Sequence, residues 1–316
     1  MPKRKSQKTH KSPALFIIAA LVVGIVFLLN QFTSSQALHS NSTTTQKSET
    51  IQLSPIDASI LQQAQQPSSA TEELKIDGIE IPAKIPNRSE IFITHTGFAL
   101  SYNPDWKIPN WVAYELTDAE VSGEEPRSNR FMPDPNLTIS QTATDNDYKN
   151  SGWDRGHMAP AADMKWSKQA MKESFYFSNI CPQNRNLNAG VWNNLEEQVR
   201  ALASQKGSIY VVCGPIVDEN PQTIGANNVV VPQRFFKALL QNNTGNWYAI
   251  GFVFDNKSGK RPLSTYALSV SELQEITGIT FFPSLPKEIA ENVKSEVDFS
   301  RWTVTQIAKK TAAHTQ

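Results

Sequence analysis

The sequence predicts an α+β fold: a central antiparallel sheet flanked by helices, preceded by one N-terminal transmembrane helix. Three observations carry this. Short β-branched and aromatic runs recur between residues 91 and 256, with turn residues between them. Helical periodicity appears among these runs, but without a regular strand–helix–strand alternation. Residues 14–29 (ALFIIAALVVGIVFLL) are an unbroken apolar run behind a basic flank.

Residues 1–13 read as a basic cytoplasmic tail, with Lys3, Arg4, Lys5, Lys8 and Lys11 ahead of the apolar run. At about 1.5 Å per residue, 14–32 is just long enough to cross a bilayer. The basic flank keeps the N-terminus in the cytoplasm and sends the rest of the chain outside. A cleaved signal segment is the rival reading, with Ser35-Gln36-Ala37 as its small-x-small cleavage site. The run is longer than most signal cores, so an uncleaved anchor is preferred. In that case the remainder of the chain is membrane-anchored and extracytoplasmic; if the segment is cleaved, it is secreted. Residues 33–75 are rich in Ser, Thr, Gln and Ala and read as a flexible linker, with room for a short helix around 57–65. A globular domain is expected over 76–305 and a C-terminal tail over 306–316.

Within the domain, residues 91–103 (IFITHTGFALSYN) read as a hairpin turning at Thr96-Gly97, and 111–117 as a further strand. Residues 118–152 read as a turn-rich loop around Pro126, Pro133, Pro135 and Gly152. Residues 164–175 have helical character, and 175–181 (FYFSNIC) read as a strand. Over 191–204, Val191, Leu195, Val199 and Leu202 form one apolar helical stripe. Strands follow at 208–216, 234–241 and 246–256, and a short helix at 270–277.

Composition limits the function classes. The chain has 30 basic and 30 acidic residues, but five of the basic ones precede the apolar run, so the remainder is mildly acidic. Bulk charge gives no support to a protein that coats nucleic acid, and any such ligand needs a local patch. Cys181 and Cys213 are too few for a zinc site. They read as two small buried residues or as a disulfide between neighbouring strands.

The chemistry concentrates in WDRGHMAPAADM (153–164) and SNICPQNRNLNAGVWNNLEEQ (178–198). His157 has an unperturbed pKa near neutral pH and suits a general base. Arg155 can hold negative charge on a phosphate, and Gly156 lets the backbone turn between them. Asn188, at the start of a helix, offers a hard amide oxygen, poor for zinc and adequate for hydrated Mg²⁺, with Mn²⁺ as a substitute. Glu196 lies eight residues on, about 12 Å along a helix axis and about 80° round it. It therefore acts on a metal only through an intervening water. Asp154 braces the loop, and Asn179 supports the site by hydrogen bonds. Arg127 and Arg130 are alternative phosphate ligands in PRSNRFMPDP, with Arg127 preferred. His10, His39, His95 and His314 receive no role.

The segments DRGH (154–157), SN-x-x-PQ (178–183) and LN-x-x-x-WNNLE (187–196) resemble, in order and spacing, those of the DNA/RNA non-specific endonucleases of the ββα-metal, or His-Me finger, superfamily. The resemblance runs from about residue 91 to 285 and takes in VVCGPI, VPQRFFKALL and TGITFFPSLP. It implies a ββα-metal active-site motif within the sheet-and-helix fold and Mg²⁺-dependent cutting of DNA and RNA to leave a 5′-phosphate. It makes Asn188 the main protein ligand of the metal and puts a substrate arginine in the 126–135 loop. The expected partners are the two nucleic acids and, through 14–32, a membrane. No protein partner is inferred, and a homodimer is compatible. The alternative is a tethered protein on the same fold that binds nucleic acid without cutting it.

Overall fold

The computed structural model describes residues 76–304. The expected membrane segment 14–32, the linker 33–75 and the tail 306–316 lie outside the described residues. Among the described residues, no helix is long and apolar enough to cross a membrane.

A seven-stranded antiparallel sheet organises the chain, in the order β1-β2-β3-β6-β9-β10-β11. β1 (Ile91–Thr94) and β2 (Ala99–Asn103) form the expected hairpin, and β3 (Ile108–Thr117) contains the expected strand at 111–117. β6 (Ser208–Ile216), β9 (Arg234–Asn243) and β10 (Asn246–Asp255) form the middle, and β11 (Ala267–Leu268) closes the far edge. The middle strands are apolar on both faces because both faces are covered.

Side chains alternate across each strand. On β6 and β9, Val211, Cys213, Phe235 and Leu239 enter one core, while Val212, Phe236, Ala238 and Leu240 enter the other. The first face receives α5 (Asn193–Lys206), whose Leu195, Val199 and Leu202 form the expected apolar stripe. The second face receives α6 (Val270–Thr277) and α7 (Lys287–Ser295), through Val270, Leu273 and Val293. Ser269 and Glu272 form a reciprocal cap at the start of α6, and Gly278 ends it at φ +69°, so local chemistry sets both boundaries.

Several expectations are corrected. Residues 118–152 are not all loop, for α1 (Asp118–Val121) and α2 (Asp145–Tyr148) each contribute one turn. The helix expected over 164–175 is shorter: α3 (Lys168–Ser174) starts where Ser167 accepts the amide of Ala170. The strand expected over 175–181 starts only at Ile180, because Phe177–Asn179 form a 3₁₀ turn. DRGH is not a loop. It is β4 (Asp154–His157), paired with β5 (Ile180–Gln183) in a separate two-stranded sheet. α7 went unread, although Ile289 and Val293 are spaced one turn apart on its buried side. The pair β7 (Thr223–Ile224) and β8 (Val229–Val230) was also unread. Cys181 and Cys213 are buried free thiols, and the Cys213 thiol donates to the Met158 carbonyl at 3.1 Å.

Gly214 marks the tightest packing at the sheet centre. A Cβ there would lie 2.7 Å from the Asn110 carbonyl oxygen and 3.0 Å from the Phe236 ring. Gly214→Val is expected to destabilise the protein by about 1–3 kcal/mol through overpacking. Urea unfolding would read this as a lower midpoint at unchanged slope. An unchanged midpoint would contradict the close approach.

Candidate active site

The site begins with the pairing of β4 and β5. The register places Asp154 opposite Gln183, Gly156 opposite Cys181 and His157 opposite Ile180. Gly156 is required there: a Cβ would fall 2.3 Å from the Gln183 side-chain oxygen, and Gln183 is fully buried. Successive residues point to opposite faces of a strand, so Arg155 and His157 share one face and Asp154 takes the other.

His157 is 9% exposed and sits between two phenylalanines. The Phe175 ring meets it edge-on with centroids 4.7 Å apart, and the Phe131 ring lies at 5.4 Å. Each phenylalanine also carries a guanidinium, Arg127 at 5.2 Å over Phe175 and Arg155 at 4.3 Å over Phe131. Burial first, then Arg127 and Arg155, push the imidazole pKa down to about 3. The imidazole is therefore neutral near pH 7. Its Nε2 is buried and has no hydrogen-bond partner among the described residues. At a pKa of about 3 this nitrogen is neutral but only weakly basic, and an anion that offsets the two guanidiniums would raise its basicity toward that of a working general base. Among the described residues, Arg130 is exposed and makes no ring or ion-pair contact with this cluster.

Asn179 fixes the chain as it leaves β4. Its Oδ1 accepts the Ala159 amide at 2.8 Å, and its Nδ2 donates to the Ala159 and Ser174 carbonyls, both at 2.8 Å. Its backbone carbonyl accepts the Met158 amide at 3.0 Å. These four bonds clamp the residues after His157 to the end of α3.

After β5 the chain turns through α4 (Arg185–Leu187) and a wide helical turn, Asn188–Trp192, into α5. Gly190 breaks the helical dihedrals within that turn, at φ −111° and ψ −119°. The expected helix start at Asn188 is displaced: Asn184 is the cap, its side chain accepting the amides of Asn186 and Leu187. Asn188 is thereby freed from capping. Its Nδ2 donates to Asp154 Oδ2 at 3.3 Å, and Arg185 pairs with Asp154 Oδ1 at 3.2 Å. Asp154 thus ties β4 to the Asn188 turn. Arg155 pairs with Asp145 rather than with Asp154 or Asp163. Asp145, Asp154, Arg155, Arg185 and Asn188 line an open cleft of about 790 Å³.

The donor chemistry suits a hard, largely hydrated cation. Asn188 Oδ1 remains available, because its Nδ2 makes the bond to Asp154, and the Asp154 carboxylate lies beside it. Among the described residues, no group of three or more His, Cys, Asp or Glu could form an all-protein cage. An ion that keeps its waters fits such a pair of oxygens, and Mg²⁺ is of that kind.

Glu196 is buried in a layer of charge between α5 and the sheet, and among the described residues it makes no hydrogen bond to His157 or Asn188. Burial raises its pKa to about 7, Asp163 adds to the rise, and Lys237 and Arg200 oppose it. Asp163 is 1% exposed and bonds to Arg200 at 2.8 Å and to the Tyr114 hydroxyl at 2.9 Å. Lys237 is likewise 1% exposed, with its ammonium 4.5 Å over the Trp192 ring. Sequence reading missed Lys237, although its parity with Phe235 and Leu239 puts it on the site's side of the sheet. It also missed His95, held at 2.9 Å by Asp134, which accepts from Ser178 at 2.6 Å. A histidine five residues into a hairpin carries no spacing signal.

The DNA/RNA non-specific endonuclease family matches residues 77–288. The chain is 40% identical over 210 residues to "Nuclease EXOG, mitochondrial" of Danio rerio, covering 61% of each chain. It is 32% identical over 206 residues to "Endonuclease G, mitochondrial" of Bos taurus, covering 61% of this chain and 69% of that one. A crystal structure of the EndoG/EndoGI complex superposes with a TM-score of 0.58 at 28% identity, covering 62% of this chain and 87% of that one. The match spans about three fifths of the length of the first curated relatives.

The depressed His157 pKa makes a stability prediction. The unfolded imidazole binds a proton near pH 6.5, whereas the folded one does so only near 3. Stability from this group is therefore complete above about pH 6.5 and is lost as pH falls toward 3. With chelator present, unfolding free energy should fall by up to about 1.4 kcal/mol per pH unit from this group between pH 6 and 4. His157→Asn should flatten that part of the curve. Equal slopes in both proteins would contradict the buried neutral imidazole.

Proposed function

The chain belongs to the DNA/RNA non-specific endonuclease family, and on that premise we propose that it is a Mg²⁺-dependent endonuclease that hydrolyses phosphodiester bonds in DNA and RNA. One observation carries the mechanism. The buried, partnerless Nε2 of His157 lies on the strand whose first residue, Asp154, is hydrogen-bonded to Asn188.

His157 accepts a proton from the attacking water at Nε2. Its neutrality at pH 7 keeps that lone pair available, and the phenylalanines on either side exclude competing donors. Arg127 and Arg155 bind the phosphate. Their guanidiniums already rest on the two rings, so their forks need little reorganisation to take phosphate oxygens. The Arg155–Asp145 pair is half-exposed, and surface pairs of this kind hold by about 0–1 kcal/mol, so a phosphate can displace it. Asn188 Oδ1, with Asp154 alongside, would hold Mg²⁺, which supplies positive charge to the phosphate and to the leaving 3′ oxygen. Mn²⁺ has the same oxygen preference and should substitute. Glu196 acts at one remove, positioning the Asn188 turn and its water from the charged layer beneath. Every group in this set reads phosphate, and none reads a base edge or a 2′-hydroxyl, which accounts for action on both nucleic acids.

The compartment rests on the N-terminal sequence alone. The basic flank and the apolar run over 14–32 support a catalytic domain held beyond a membrane.

Incubating the full chain with plasmid DNA and ribosomal RNA tests the reading. Both should be cut with Mg²⁺ and neither with chelator, and His157→Ala should slow cutting by roughly 10²–10⁴-fold. Retention of DNA by a folded protein that cuts neither substrate would point to the binding-only alternative.

A further inference from the structure

The Asn188 turn has a second groove on its other side. Asn186, Ala189 and Gly190 face Ser258, Gly259 and Lys260 across a cleft of about 380 Å³. A smaller hollow of about 200 Å³ adjoins it and extends to Arg261 and Tyr266. The first cleft and this groove therefore share one wall, the segment from Arg185 to Gly190.

The two sides differ in how their cations are used. In the first cleft, Arg155 and Arg185 are paired with Asp145 and Asp154. Beyond the wall, Lys257 is paired with Asp255 at 2.8 Å. Lys260 and Arg261 have no carboxylate within ion-pair distance among the described residues, and both are exposed. Two unneutralised cations facing a groove form a local patch on a chain whose overall charge gives none.

The loop that carries them is braced against the site. Gly259 packs so closely on Tyr266 that a Cβ would lie 2.6 Å from the phenol oxygen. The Arg261 guanidinium lies 5.3 Å over the Tyr266 ring. Tyr266 packs on Phe254 in a tilted contact at 4.6 Å, and Phe254 meets Trp192 edge-on at 5.8 Å. Trp192 is the last residue of the Asn188 turn, so one aromatic row links the loop to the turn. At Gly190 a Cβ would meet nothing within 4 Å, so the groove is unobstructed beside that residue.

We propose that this groove continues the substrate track, with Lys260 and Arg261 holding the phosphodiester backbone of the nucleic-acid strand beyond the bond that is cut. The inference rests on the nuclease reading and adds to it a binding site outside the catalytic cleft. Such a site serves long strands and is not reached by a substrate of one nucleoside.

The test compares wild type with Lys260→Glu/Arg261→Glu in the full chain, on two substrates. One is a long duplex, and the other is a chromogenic bis(nitrophenyl phosphate) diester of thymidine. The ratio of kcat/KM for duplex to that for the nucleoside diester should fall by about tenfold or more, mainly through KM. The slope of log binding against log salt should become shallower by about 0.9 per lost phosphate contact, or about 1.8 in all. Lys260→Gln/Arg261→Gln should give a smaller change in the same direction, which guards against a folding defect from reversed charge. An unchanged ratio and slope in both variants would overturn the track while leaving the nuclease reading intact. A wild type that cuts neither substrate would remove the nuclease reading and the track together.

Discussion

The antiparallel pairing of Asp154–His157 with Ile180–Gln183 is the constraint on which the site depends. The two strands are 23 residues apart in sequence, and neither has the apolar alternation of a core strand. Their register nevertheless brings Asp154 beside the turn that leaves β5, where it meets both Arg185 and Asn188. It also turns Arg155 and His157 toward the two phenylalanines. Gly156 permits the pairing because Gln183 occupies the space of its missing side chain. Asn179 holds the exit of the same strand through four hydrogen bonds. A slip of one residue would exchange the two faces and separate all of these groups.

Two electrostatic regimes meet at this pair of strands. Above it, the imidazole is kept neutral by burial and by two guanidiniums that stack on its neighbours. On the proposed reading, the same arrangement that disfavours imidazolium attracts phosphate, so one set of cations would serve both the base and the substrate. Between α5 and the central sheet, buried Glu196, Asp163 and Lys237 meet the half-buried Arg200, two acidic groups against two basic ones. Removing one member of such a layer leaves an uncompensated charge, and losses of about 3–5 kcal/mol are typical of that change. This layer ties α5 to the central sheet and thereby fixes the turn that carries Asn188.

The sequence made most of the central sheet legible. The runs at 208–216, 234–241 and 246–256 are long, apolar and bounded by turns, and all three are strands. The 270–277 helix is legible too, and the structure bounds it with the Ser269 cap and Gly278. DRGH is conspicuous as a motif but looks like a loop in the sequence, because a four-residue strand in a two-stranded ribbon has no periodicity to recognise. The Asn184 cap went unread, since Asn184, Asn186 and Asn188 are equally good caps by residue type. Phe131, Phe175, Lys237 and the Asp163–Arg200 pair were out of reach for another reason. Each acquires its meaning from a partner brought near by the sheet, and nothing in local spacing signals that partner.

The central claim is that Asn188 and His157 belong to one metal-dependent site. Paramagnetic broadening of the His157 imidazole resonances during a Mn²⁺ titration tests it most directly. Wild-type protein should lose the His157 ring signals at low Mn²⁺. Asn188→Ala should retain the His157 signals over the same range. Equal broadening in both proteins, or none in wild type, would contradict the account.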